Sequence, residues 1–222
     1  MRPVVTVLML VSLLWATPGT GVARETAKSL SRQALKECDL GRQAGARDAR
    51  LAHFQKGQVL AERAVALDDR HADAHFALFC SKGEQLRIDG ENLSAAWGLR
   101  KIMEPLDRTL ELNPNHVDAL TTKGTLLVRL PTLMGGDPEK GEELLKQAIR
   151  NDRKAISARL TLARVYAERG DHDASIKLAG QAVKIAKADR RKEWIPEAQA
   201  TLAELRQARN NHNGNGHNGH ER

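Results

Sequence analysis

Histidine and cysteine are the side chains with the widest chemical reach, and this chain has eight of the first and two of the second. Their spacing argues against catalysis. His53, His71, His75, His116 and His172 stand singly, and although His71 and His75 share a helix face at i, i+4, neither has a third partner in sequence. There is no Gly-rich phosphate loop, no His-Glu-x-x-His and no nucleophile elbow. Cys38 and Cys80 with His75 supply no close ligand pair, so no metal centre is expected. The two thiols can pair in an oxidising compartment. Bridging needs Cα atoms within about 7 Å, whereas packed helix axes lie about 8–10 Å apart, so only directly facing positions would serve and buried free thiols are the expectation. His212, His217 and His220 lie in Asn210–Arg222, a stretch with no apolar residue that cannot offset the entropy of ordering it. A polar tail without structure from residue 209 is expected there.

Charge narrows the function classes further. The formal net charge is +7, but acids are interspersed, as in Arg150-Asn151-Asp152-Arg153-Lys154, and aromatic residues make up only 3% of the chain. Nucleic acid is a poor fit, since no aromatic platform interleaves with the cations. The run Arg190-Arg191-Lys192 reads as a solvated helix start. At the other end Arg2 precedes the 12-residue apolar run Val4–Trp15, then Pro18, Gly19, Gly21 and Ala23. That is the order of a secretory signal peptide, too short in its apolar part for the roughly 20 residues of a membrane-spanning helix. Cleavage is expected after Ala23, leaving an exported protein, periplasmic or secreted, with no spanning segment. No Cys stands near the cut, so a lipid-attachment signal is not expected.

With catalysis set aside, the organisation of the chain carries the reading. Gly136-Asp137 returns as Gly170-Asp171, and Gly141, Leu145 and Ala148 return as Ser175, Ala179 and Ala182, each pair 34 residues apart. Two antiparallel helices of about 14 residues with short turns consume about 34, and small side chains at fixed points let them approach closely. Arg159, Leu162, Ala163, Tyr166, Gly170, Ser175, Ala179 and Ala182 fall on the grid of the tetratricopeptide repeat, which the stretch resembles. Arg159, at a position that asks for a bulky apolar side chain, is the poorest match. Such a unit cannot bury its apolar face alone and must stack on its neighbours. The expected fold is therefore all-α, a right-handed solenoid of about four helix pairs over residues 24–208.

The elements follow from periodicity and punctuation. Helices are expected over Glu25–Gln43 and from an Asp48 N-cap to Leu67, the latter with Gly57, Ala61 and Ala64 at small positions. A third begins at Ala72, with His75, Leu78 and Phe79 buried, and reaches about Ile88 before the Asp89-Gly90 break. A fourth runs from about Asn92 to Leu112, kinked at Pro105. Leu67 and Leu112 stand 45 residues apart, so this unit carries 11 residues beyond the period. The next carries five, since Leu120 and Arg159 are 39 apart, and the excess falls at Leu130–Gly136. Asp137 then starts a helix with Pro138 and Glu139 behind it. The last unit spans Ala155 to about Ala188, and a helix from about Lys192 to Ala208 closes the stack.

The grid together with Leu130–Asp137 and Lys140-Gly141 resembles the T-component family of tetratricopeptide-associated tripartite ATP-independent periplasmic (TRAP) transporters. That resemblance implies work in the periplasm beside a solute-binding receptor. The tetratricopeptide registration implies a concave groove lined by the first helices, with Phe76, Cys80, Thr121, Thr122, Thr125, Arg129, Thr161, Arg164 and Glu168 as its candidates. Arg129 and Arg164 suit bidentate capture of a carboxylate. The expected protein is a non-enzymatic binding scaffold of the cell envelope, without cofactor, that holds a protein or peptide partner in that groove. The alternative is an accessory of TRAP-type uptake that binds a receptor or a small organic acid.

Overall fold

A computed structural model describes residues 25–89 and 95–217. The expected signal peptide, the middle of the Ile88–Ser94 connection and His220 lie outside the described residues. Within them the chain is helical throughout, with no strand: α1 (Ala27–Gln43), α2 (Arg47–Leu67), α3 (Ala72–Asp89), α4 (Ala95–Leu112), α5 (Val117–Arg129), α6 (Pro138–Asn151), α7 (Ile156–Glu168), α8 (His172–Ala188) and α9 (Ile195–His217). No described helix is long and apolar enough to cross a membrane.

Side-chain caps set the starts of α1, α5, α6 and α8. Thr26 and Ser29 exchange backbone N–H bonds at 3.1 and 3.0 Å in a capping box ahead of α1. The Asp137 carboxylate accepts from Lys140 N–H at 2.9 Å, and 34 residues on Asp171 accepts from Ala174 N–H at 3.1 Å. Pro138, with no N–H to satisfy, occupies the first turn of α6. Helix α2 differs from expectation. It begins at Arg47 after an Ala46 cap with no side-chain bond, and Asp48 lies within the first turn, where its charge faces the positive helix end instead.

Packing is serial. The buried apolar residues form small clusters between successive helices: Leu30, Ala64 and Ala74; Phe76, Leu106 and Ala119; Leu120, Leu144, Leu145, Ala148 and Leu162; Ile156, Leu160, Ala182, Ala186 and Ala198. Each helix packs on its neighbours in sequence, and α1 on α3, α5 on α7 and α7 on α9 form a second row of contacts. That double row is what a solenoid requires. Helices α5 and α6 approach backbone to backbone. A Cβ at Gly124 would stand 2.8 Å from the Gly141 carbonyl oxygen, and one at Gly141 would stand 2.8 Å from that of Gly124. Backbone meets backbone here, so the small residues of the period are steric requirements. Gly170 ends the α7–α8 turn at φ 84°, a left-handed conformation that glycine takes without strain.

Two expectations change. Cys38 and Cys80 are joined in a disulfide with Cα atoms 6.5 Å apart, where buried free thiols were expected. The expectation rested on the spacing of ordinary packed helices. Ala34, Ala61 and Ala77, all fully buried beside the bridge, let α1 and α3 close together at this level. At the other end α9 passes the boundary expected near Ala208 and continues to His217, with the His212 ring 5.3 Å from that of His172. Ala198, Thr201 and Leu205 anchor it, and once a helix is started each further residue adds a backbone bond for little cost.

Candidate groove and its open cleft

The expected groove residues separate into three environments. Phe76 is core: it is buried against Leu106 and Ala119, with its ring 4.9 Å from that of His116. Thr121 and Thr161 are buried, and Thr125 links their helices, donating to the Thr121 carbonyl at 2.7 Å and lying 3.3 Å from the Thr161 hydroxyl. Arg164 is committed to the final helix, donating to Thr201 Oγ1 at 2.7 Å and pairing with Glu197 at 3.4 Å. Along α5, α7 and α9 the inner face is therefore closed by its own polar contacts. Arg129 and Glu168 are exposed, and Arg129 holds no hydrogen bond or ion pair with a described residue.

Thr122 and Cys80 have a different setting. Helices α3 and α5 touch at their N-terminal ends, where His116 Nε2 lies 3.2 Å from Asp73 Oδ1. Toward their C-terminal ends a cleft of about 470 Å³ opens between them, floored by Ile102 and Met103 of α4. Phe79, Gly83 and Leu86 on α3 and Thr122 and Leu126 on α5 form its walls. These repeat at three- and four-residue spacing, so each stripe was readable once a gap between the helices is supposed. His75 is buried as expected, whereas Phe79 is only half-buried because it faces this opening.

A charged rim closes one side of the cleft. Arg42 donates to Glu84 at 2.7 Å and to the Cys80 sulfur at 3.2 Å, and Arg87 donates to the other Glu84 oxygen at 2.9 Å. Burial pushes the Glu84 carboxyl up, but Arg42 and Arg87 outweigh it and hold the group below its ordinary range. Behind the bridge Glu37 is likewise held low, by hydrogen bonds first from Lys56 and then from His53. The rim is thus tied through Arg42 to the disulfide. Among the described residues no group of three His, Cys, Asp or Glu could hold a metal ion. The cleft's lining of apolar walls, one threonine and paired charges provides for binding.

The fold and groove define a tetratricopeptide-type helical solenoid of four helix pairs and a closing helix, the architecture of interaction scaffolds. Residues 133–192 match the tetratricopeptide repeat family. The chain is similar in structure to a thermophilic TPR protein of Thermus thermophilus, with a TM-score of 0.53 and 18% identity over 80% of this chain and all of that one. It overlaps more loosely with MamA, at a TM-score of 0.44 and 18% identity over 74% of this chain and 81% of that one. No curated protein matches it in sequence.

Proposed function

We propose that this protein is a non-enzymatic scaffold of the cell envelope that grips an extended protein segment at the α3–α5 cleft. The observation that carries the reading is the cleft itself: an apolar slot with a charged rim, where among the described residues α3 and α5 part. An extended segment fits because its apolar side chain enters the slot while its backbone meets Thr122, and Arg129 stands exposed one turn beyond Leu126. Export rests on the Arg2–Ala23 signal pattern and is supported by the Cys38–Cys80 bridge, since such bonds persist in oxidising compartments. The test is capture from envelope extract by the full chain, compared with Thr122→Lys, which places a long cation in the slot. Loss of a partner in the variant supports the reading; identical recovery removes the cleft from it.

One observation favours the second reading, a periplasmic accessory of TRAP-type uptake. The insertion after α5 folds as a short 3-10 turn, Thr132–Met134, that leaves Leu133 fully exposed and Met134 partly so. An apolar tip on a rigid turn suits docking on a receptor. Leu133→Ser should then abolish association with a solute receptor and leave cleft-dependent capture intact.

A further inference from the structure

Arg159 occupies the position where the repeat asks for a bulky apolar side chain, and its surroundings are not those of an ordinary core residue. It is 6% exposed, on the first turn of α7. Its Nη1 donates to the Ala155 carbonyl at 2.9 Å, whereas its Nε is buried with no acceptor. No described carboxylate pairs with it. Asp152 is the one acid whose field it feels, and burial outweighs that pull and lowers the guanidinium's affinity for its proton. A buried cation without a counter-charge is strongly unfavourable, and an anion joining it would relieve that cost.

The side chain lines a cleft of about 600 Å³ on the outer face, between α6, α7 and α8. Arg150 and Arg153 stand on one side, Lys184 and Gln181 on the other, and Ile149 and Ile185 supply apolar flanks. Arg150, Arg153 and Lys184 are exposed, and none forms an ion pair with a described carboxylate. Cations beside this hollow do pair, as Lys154 does with Asp189 at 3.0 Å and Arg164 with Glu197 at 3.4 Å. Four cations therefore line one hollow without an ion pair, with only the fields of Asp152 on Arg159 and of Glu143 on Arg150 set against them.

We propose that this hollow is a binding site for a phosphate group, with Arg159 as its floor and Arg150, Arg153 and Lys184 as its rim. A doubly charged, three-oxygen acceptor matches one buried guanidinium fork and three further cations better than a single carboxylate does. The isoleucines provide for the methylene groups next to the phosphate. A soluble phosphate ester and the headgroup of an anionic lipid share this chemistry. The site shares no residue with the α3–α5 cleft and does not depend on that cleft's role.

Calorimetric titration of the full chain with inorganic phosphate, against sodium chloride of equal ionic strength, tests the site directly. Arg159→Leu should weaken phosphate binding by about tenfold or more, and Arg150→Gln with Arg153→Gln by about three- to tenfold, as expected for loss of a buried and of exposed charge contacts respectively. The double variant changes only exposed side chains, so its effect stands even where Arg159→Leu misfolds. Co-sedimentation with phosphatidic acid vesicles, against phosphatidylcholine vesicles, separates the sources: Arg159-dependent binding to the former without binding of free phosphate assigns the site to a lipid headgroup. Phosphate heats no larger than those of chloride together with no Arg159-dependent vesicle binding would overturn the proposal, as would equal affinity in wild type and both variants.

Discussion

The two junctions that flank α3 are built in opposite ways. On the α1 side, fully buried alanines and a disulfide bring two first helices to a Cα separation of 6.5 Å at the bridge. On the α5 side the same kind of contact is made only at the N-terminal ends, through Asp73, Phe76 and His116, and then gives way to a cleft. Length does not set the difference, since α1 and α3, and α3 and α5, both start 45 residues apart. Buried alanines and the bridge close the first junction, whereas Phe79, Leu86, Thr122 and Leu126 face one another across the second. Binding space in this molecule thus depends on which side chains meet between first helices.

Breaking the closed junction should have the largest effect. Replacing Cys38 and Cys80 by serine opens a loop of sequence separation 42 and should cost about 4 kcal/mol by chain entropy, read as a lower urea midpoint. A change below about 1 kcal/mol would mean that packing alone holds α1 to α3. Next comes Gly124→Ala, which drives a methyl into the Gly141 carbonyl where α5 meets α6 and should cost about 1–3 kcal/mol in the same assay. Its counterpart Gly180→Ala has open space around it and should be neutral or stabilising. Arg164→Ala should be milder, about 1–2 kcal/mol, because Thr201 loses its partner in a buried site. Hydrogen exchange should then speed up in α9 before α7.

The smallest effect concerns the rim of the open cleft. Because the Glu84 carboxyl titrates below its ordinary value of 4.5 in the folded protein, its contribution is present above that pH and is lost as pH falls through the folded value. Glu84→Gln should therefore be less stable than wild type near pH 6, and the difference should shrink on acidification below about 4.5. A constant difference from pH 6 to pH 3 would show that the ion pairs with Arg42 and Arg87 do not act on stability.

The sequence was most legible where the period is most regular. Gly141 and Asp137 recur as Ser175 and Asp171 because a buried small position and a cap must each recur with the unit, whereas the left-handed turn glycine paired with Gly170 is Gly135 and not Gly136. The groove was less legible because registration from a regular repeat assumes that every unit stacks alike. Thr122 lines an opening whereas Thr121, Thr125 and Thr161 join helices, and that depends on how far α3 stands from α5. Arg164 was read as free for a ligand, yet α9 lies against α7 where a further unit's first helix would lie, and Thr201 and Glu197 take its guanidinium. The disulfide is illegible for a similar reason: one alanine on each of α1, α2 and α3 is commonplace in sequence and decisive in spacing where the three meet.

The bridge between α1 and α3 also has a mechanical meaning. A pull applied between Thr26 and the far end of α9 can draw out the later helices one pair at a time, but the covalent ring through Cys38 and Cys80 bypasses α2 altogether. The stretched molecule is then shorter by the 42-residue span, roughly 140 Å of extended chain. The chain from Cys38 to Cys80, with all of α2 in it, carries none of the load until a reductant cuts the bridge.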